Sequence, residues 1–295
     1  MHSTSGSIVV GVDGSDSSLR ALAWAVDQAR LERRAITLVH TVDALTPANT
    51  DAATVYPEEA RVALHDESEQ VLKQARSAVE QSAPELEVHE VFGLDDPRNV
   101  LIELSRRAAM VVLGSRGRGK LKSLLLGSVG VALIKHAHCP VVVHRPDRTG
   151  VTRNGIIVGA DGSEESLAVL EFAYRAASMR ALPLTVVHCF WDVDTGGSAP
   201  YVVSAASVDL ESERLLLAES MSGMGEKFPD VKVKSAVARG LPQEVLVRLG
   251  ERMDLLVVGA HQAGRVSRML VGSVSVAVVE HARCPVAVVP TEPAH

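Results

Sequence analysis

Short apolar runs alternate along this chain with stretches whose apolar residues recur every three or four positions. Ile8 to Val12 reads as a buried strand, and Leu19, Leu22, Val26 and Ala29 follow at helical spacing. Ile36 to His40 is a second strand, and Leu64, Val71, Ala75 and Ala78 mark one face of a long helix that ends near Pro84. Leu86 to Phe92 carries His89 and Glu90, as expected of an edge strand. Leu101, Leu104 and Ala108 mark a third helix, and Met110 to Leu113 a fourth, buried strand. Val129, Leu133 and His136 mark a fourth helix, before a last strand from Val141 to His144. Strands alternating with helices imply right-handed crossovers and a mostly parallel sheet, an α/β fold.

The same order then repeats. Val9-Val10-Gly11-Val12-Asp13-Gly14-Ser15 returns as Ile157-Val158-Gly159-Ala160-Asp161-Gly162-Ser163, and Thr37-Leu38-Val39-His40 as Thr185-Val186-Val187-His188. Leu126-Gly127-Ser128-Val129 returns as Val271-Gly272-Ser273-Val274, and Cys139-Pro140-Val141 as Cys284-Pro285-Val286. The offset is 148 in the early motifs and 145 in the later ones, which places a three-residue deletion after the second strand. A period this long is a whole domain, not a solenoid unit. Two tandem domains, 1–149 and 150–295, are expected, with a linker in the Pro-, Asn- and Gly-bearing stretch from Pro146 to Gly155.

Composition narrows the function classes. Apolar residues make up 46% and aromatics 3% of 295 residues, so the cores must be aliphatic, as suits parallel sheets covered on both faces. A net charge of −6 argues against a nucleic-acid surface. No apolar run approaches the length of a membrane span, and no secretory signal is apparent, so a cytoplasmic protein is expected. Cys139, Cys189 and Cys284 are too scattered for a disulfide framework, and His136, His138 and Cys139 lack zinc-like spacing.

The sharpest motif is Gly114-Ser-Arg-Gly117, nine residues, then Gly127-Ser128, running from a buried strand into a helix. Glycine permits close backbone approach to a ligand, and a helix start offers N–H groups to an anion. Arg116, Arg118, Lys120 and Lys122 add positive charge. Equally, the glycines shape a turn, Ser128 caps a helix and the basic residues form a solvated face. Asp13 and Asp161 end first strands, with Ser15 and Ser163 as candidate N-caps. Ligands of open parallel sheets bind at carboxyl ends of strands where the winding reverses; if the first and fourth strands are neighbours there, Asp13 and the Gly114 loop face one crevice.

The V-G-V-D-G-S start, the G-x2-G-x9-G-S loop and the C-P-V-V-V strand resemble the universal stress protein family across both halves. That resemblance implies two doubly wound domains, each a five-stranded parallel sheet of order 3-2-1-4-5. It further implies ATP, with or without Mg²⁺, between the first and fourth strands. Asp13 would then contact the nucleoside, and Val12 and Thr41 would meet adenine through their backbones. Gly114, Gly117, Gly127, Ser128 and Val129 would surround ribose and phosphates, and Arg116 and Arg118 are binding candidates by their charge. Ala160, Asp161, Cys189, Gly259, Gly272, Ser273 and Val274 take those places in the second half, where His261 stands in place of Arg116. Gln262 stands where the first half has Gly117. If the backbone there is left-handed, the second site is strained and weaker. The expected role is a non-catalytic, ATP-dependent stress or regulatory protein, associating as a pseudo-dimer within the chain and as a homodimer, with an unidentified regulatory partner. The alternatives are a slow ATP hydrolase and a binder of another adenine-containing ligand.

Overall fold

The computed structural model describes residues 5–42, 58–117, 126–145, 154–190, 201–202, 210–260 and 273–291, with only the backbone for 58–64, 201–202 and 273. The chain divides into two compact units, Met1–His144 and Arg145–His295.

In the first unit the strands are β1 (Ile8–Gly11), β2 (Ile36–Thr41), β3 (Val88–Gly93), β4 (Met110–Gly114) and β5 (Val141–His144). They are joined by α1 (Asp16–Glu32), α2 (Glu58–Ser82), α3 (Pro97–Ser105) and α4 (Ser128–His136). All pairings are parallel, in the order β3-β2-β1-β4-β5. The winding therefore reverses between β1 and β4, where Ile8 stands beside Met110 and Val10 beside Val112. Ile8, Val9, Val10, Leu38, Val111 and Val112 are fully buried, so both faces of the sheet are covered.

Local chemistry sets the helix starts. Ser15 caps α1, its side chain accepting from the Ser18 N–H at 3.2 Å. Asp96 caps α3 by accepting from the Arg98 N–H at 2.8 Å, with Pro97 at the first helical position. The Arg98 guanidinium beside Asp96 holds its carboxyl below the usual carboxylate range. Helix α2 ends at Ser82, as Pro84 predicts, but it buries Val71, Leu72, Ala75 and Val79 and leaves Ala78 exposed. Its inward face is thus rotated slightly from the one read off the sequence.

The second unit repeats the plan with β6 (Ile156–Gly159), α5 (Ser166–Arg180), β7 (Leu184–Phe190), β8 (Tyr201–Val202), α6 (Glu211–Ser220), α7 (Met224–Lys227), β9 (Val233–Arg239), α8 (Pro242–Gly250), β10 (Leu255–Ala260), α9 (Ser273–His281) and β11 (Val286–Pro290). Its order, β9-β7-β6-β10-β11, is again 3-2-1-4-5, and β8 adds two antiparallel residues against β9. The offset is 148 between the starts of β2 and β7 and 145 between those of β3 and β9, so the deletion lies between these strands. Ser163 is not the immediate cap of α5. Its hydroxyl does accept from the Ser166 N–H at 3.3 Å, but one extra turn intervenes before the helix begins. Both first helices end on a left-handed residue that is not glycine, Arg33 and Ala181.

Candidate functional site

At the carboxyl ends of β1 and β4 the first unit opens into a crevice of about 640 Å³. Ligand pockets span roughly 300–1,000 Å³. The strand reversal produces it: β1 and β4 diverge, with α1 leaving on one side and the α4 turn entering on the other. Val12, Asp13 and Thr41 line it from the β1 and β2 ends. Gly114, Arg116 and Gly117 line it from the β4 end, and Gly127, Ser128 and Val129 from the start of α4. The structure thus brings together every first-half residue of the expected site except Arg118, which lies outside the described residues.

Asp13 is anchored. Its Oδ1 accepts from the Ser15 N–H at 3.0 Å and from the Ser15 hydroxyl at 2.6 Å, an Asx-type turn. Gly117 lies against the same carboxylate, and a Cβ there would fall 2.6 Å from Asp13 Oδ2. Its φ is not positive, since the left-handed glycines of this region do not include it. The premise of left-handed strain at Gly117 is therefore corrected: glycine is needed there for close approach to Asp13. Gln262, its counterpart, lies outside the described residues. Gly114 is also a packing glycine, because a Cβ would meet the Ser17 backbone of α1 at 2.8 Å.

Gly127 differs from both. It caps α4 with φ −73° and ψ 157°, without a side-chain hydrogen bond, and a Cβ would meet nothing within 4 Å. Among the described residues nothing demands glycine, and the space beside it opens at the N–H groups of a helix start. Ser115, which sequence reasoning passed over as a spacer, lines the same crevice. It is 1% exposed, and its Oγ is buried without a hydrogen-bond partner among the described residues.

His40 was also missed as a site residue. It is buried on the crevice wall, with Nδ1 2.6 Å from the Val12 carbonyl oxygen. A carbonyl only accepts, so Nδ1 carries the proton. The Val12 N–H donates to the Val39 carbonyl at 2.9 Å and is not available to a base. The signal that could have flagged His40 is its return in the repeat as His188.

The chain matches the Universal stress protein family over residues 5–145 and 153–290. It belongs to that family. Universal stress protein Rv2005c of Mycobacterium tuberculosis is 36% identical over 291 residues, covering 95% of this chain and 96% of that one. A universal stress protein of Mycolicibacterium smegmatis is 36% identical over 290 residues, with 96% of each chain covered. The crystal structure of a universal stress protein from Archaeoglobus fulgidus superposes with a TM-score of 0.72 at 19% identity, over 99% of this chain and 100% of that one, which supports the fold.

In the second universal stress protein domain Asp161 repeats the Asp13 turn, with Oδ1 accepting from the Ser163 N–H at 3.0 Å and its hydroxyl at 2.6 Å. Ala160 directly follows β6 as Val12 follows β1, Cys189 is the penultimate residue of β7, before Phe190, where Thr41 ends β2, and burial pushes the Cys189 thiol up to about 12. Gly259 packs against Thr291 and Val169, and Ser273 and Val274 open α9. Ala260, in place of Ser115, brings no hydroxyl. His261 and Gly272 lie outside the described residues. Among the described residues no three metal-ligating side chains cluster, and no helix is long and apolar enough to cross a membrane.

Proposed function

We propose that the amino-terminal domain binds ATP as a regulatory ligand that it does not turn over. The observation that carries this reading is the crevice at the β1/β4 reversal, where three features converge on one space. Gly127 lines it, and a Cβ there would meet nothing within 4 Å among the described residues. Ser115, on its lining, carries a buried hydroxyl that has no hydrogen-bond partner among the described residues. The start of α4 offers N–H groups and a positive dipole end. An anion fits that end and a nucleoside fits the other. Asp13, an acceptor-only carboxylate, suits hydroxyl or amino donors of a nucleoside and would repel phosphates. Arg116, exposed at the mouth, adds charge on the phosphate side.

The chain's own residues then bind and orient. Asp13 is held still by Ser15, so it spends little conformational entropy on a ligand. ATP acts on the protein only as far as it binds two conformations unequally. The test is calorimetric titration of ATP into the full chain, with phosphate release followed in parallel. We expect saturable binding, at least a fivefold loss in Asp13→Ala, and no phosphate release above the buffer rate. Equal affinity in the variant would overturn the assignment of Asp13, and steady phosphate release would overturn the non-catalytic reading.

A further inference from the structure

We infer that His40 is a positioning residue for base recognition: its ring takes the Val12 carbonyl and so leaves the Thr41 backbone N–H facing the crevice. The inference rests on the ATP reading above and deepens it.

The register makes the case. Gly11 stands beside Val39, so Val12 stands beside His40. The Val12 N–H donates to the Val39 carbonyl at 2.9 Å. A regular parallel ladder would continue with the Thr41 N–H donating to the Val12 carbonyl. The ladder instead stops at the Gly11–Val39 pair, and the Val12 carbonyl accepts from His40 Nδ1 at 2.6 Å. On the other side Val42 donates to the Gly93 carbonyl at 3.0 Å, so the Thr41 N–H points away from β3 and toward the end of β1. Among the described residues it has no hydrogen-bond partner, and Thr41 lines the crevice.

The second domain builds the same exchange from different neighbours. Ala160 N–H donates to the Val187 carbonyl at 2.9 Å, and His188 Nδ1 lies 3.0 Å from the Ala160 oxygen. Val12 has become alanine and Thr41 cysteine, but the histidine remains. An unpaired N–H on a partly buried wall is costly unless a ligand meets it. A ring nitrogen acceptor does so. Adenine offers one at N1, whereas hypoxanthine carries N–H at that position and would oppose the amide.

Two measurements on the full chain test this. Hydrogen exchange without nucleotide should show the Thr41 and Cys189 amides exchanging at least about tenfold faster than those of Val12 and Ala160, which are ladder-bonded. Comparable protection overturns the inference without any variant. In His40→Phe the ring bulk stays and the donor goes, so the ladder should close and Thr41 become protected. His40→Asn, which returns an N–H near the Nδ1 position, should restore fast exchange. The second measurement is the ratio of ATP to inosine triphosphate affinity. We expect about a tenfold preference for ATP in the wild-type chain, since a site built to hydrogen-bond a group rejects its mismatch. The preference should be lost in His40→Phe and regained in His40→Asn. An unchanged ratio in His40→Phe, or one that His40→Asn fails to restore, overturns the role of His40 alone. No binding of either nucleotide to the wild-type chain overturns the ATP reading as well.

Discussion

Gly117 and Asp13 are in van der Waals proximity across the crevice mouth, and a Cβ at 117 would stand 2.6 Å from Asp13 Oδ2. Ser15 grips the opposite carboxylate oxygen through both its N–H and its hydroxyl, so Asp13 cannot swing aside without losing two hydrogen bonds. Gly117→Ala should therefore cost roughly 1–3 kcal/mol, the usual penalty of overpacking. In an Asp13→Ala background the same change should cost at least about 1 kcal/mol less, because the clash is gone. Chemical denaturation of the four proteins of this cycle measures it. Additive costs would show that the contact is not the reason for glycine.

Ser115 gives a prediction of the opposite kind. Removing a buried hydroxyl that has no partner leaves nothing unsatisfied. Ser115→Ala should leave the nucleotide-free protein as stable as before or more so, while weakening ATP about fivefold, the worth of one hydrogen bond of about 1 kcal/mol. Thermal denaturation and calorimetry give the two readouts. A large loss of stability would reveal a structural role, and unchanged affinity would remove Ser115 from the site.

Gly127→Ala separates ligand space from protein space. The backbone at φ −73° accepts alanine, and among the described residues no neighbour of a Cβ there lies within 4 Å. The expected stability cost is that of a poorer helix cap, about 0.5–1 kcal/mol. ATP affinity should fall at least tenfold if the methyl occupies the phosphate cradle. Retention of full affinity would place the phosphates elsewhere.

The buried thiol of Cys139 sets a pH dependence. Burial pushes it up to about 12. An unfolded thiol ionises near about pH 8.5. Above that pH the unfolded chain loses the proton while the folded chain keeps it. Stability is fully present below the unfolded value and falls as pH rises, by at most about 1.4 kcal/mol per unit for this group. Urea denaturation between pH 8 and 11 should show a shallower fall in Cys139→Ala than in the wild type, a comparison in which lysine and tyrosine titrations cancel. Parallel curves would contradict the burial of the thiol.

How much of this was legible beforehand follows a physical line. The duplication and the alternation of strand and helix come from short-range pattern and repeat, because periodicity dictates which face of an element is buried; the meeting of Asp13 with Gly117 and Ser128 needs β1 and β4 to be neighbours. The strand order came with the family resemblance that the same motifs carry. The helix ends at Arg33 and Ala181 were illegible, since a left-handed residue with a side chain is tolerated only where surrounding packing holds it. So were the reason for Gly117, the orphaned hydroxyl of Ser115 and the exchange of partners at His40. Each depends on which atoms stand opposite one another when β1, β2, β4 and the α4 turn are brought into register. Residues 13 and 117, or 12 and 40, are distant in the chain, and no local period records the ångström-scale distance between them. The sequence determined that a crevice forms and which loops edge it. Only the tertiary structure decided which backbone and side-chain atoms are spent on the fold and which are left for a ligand.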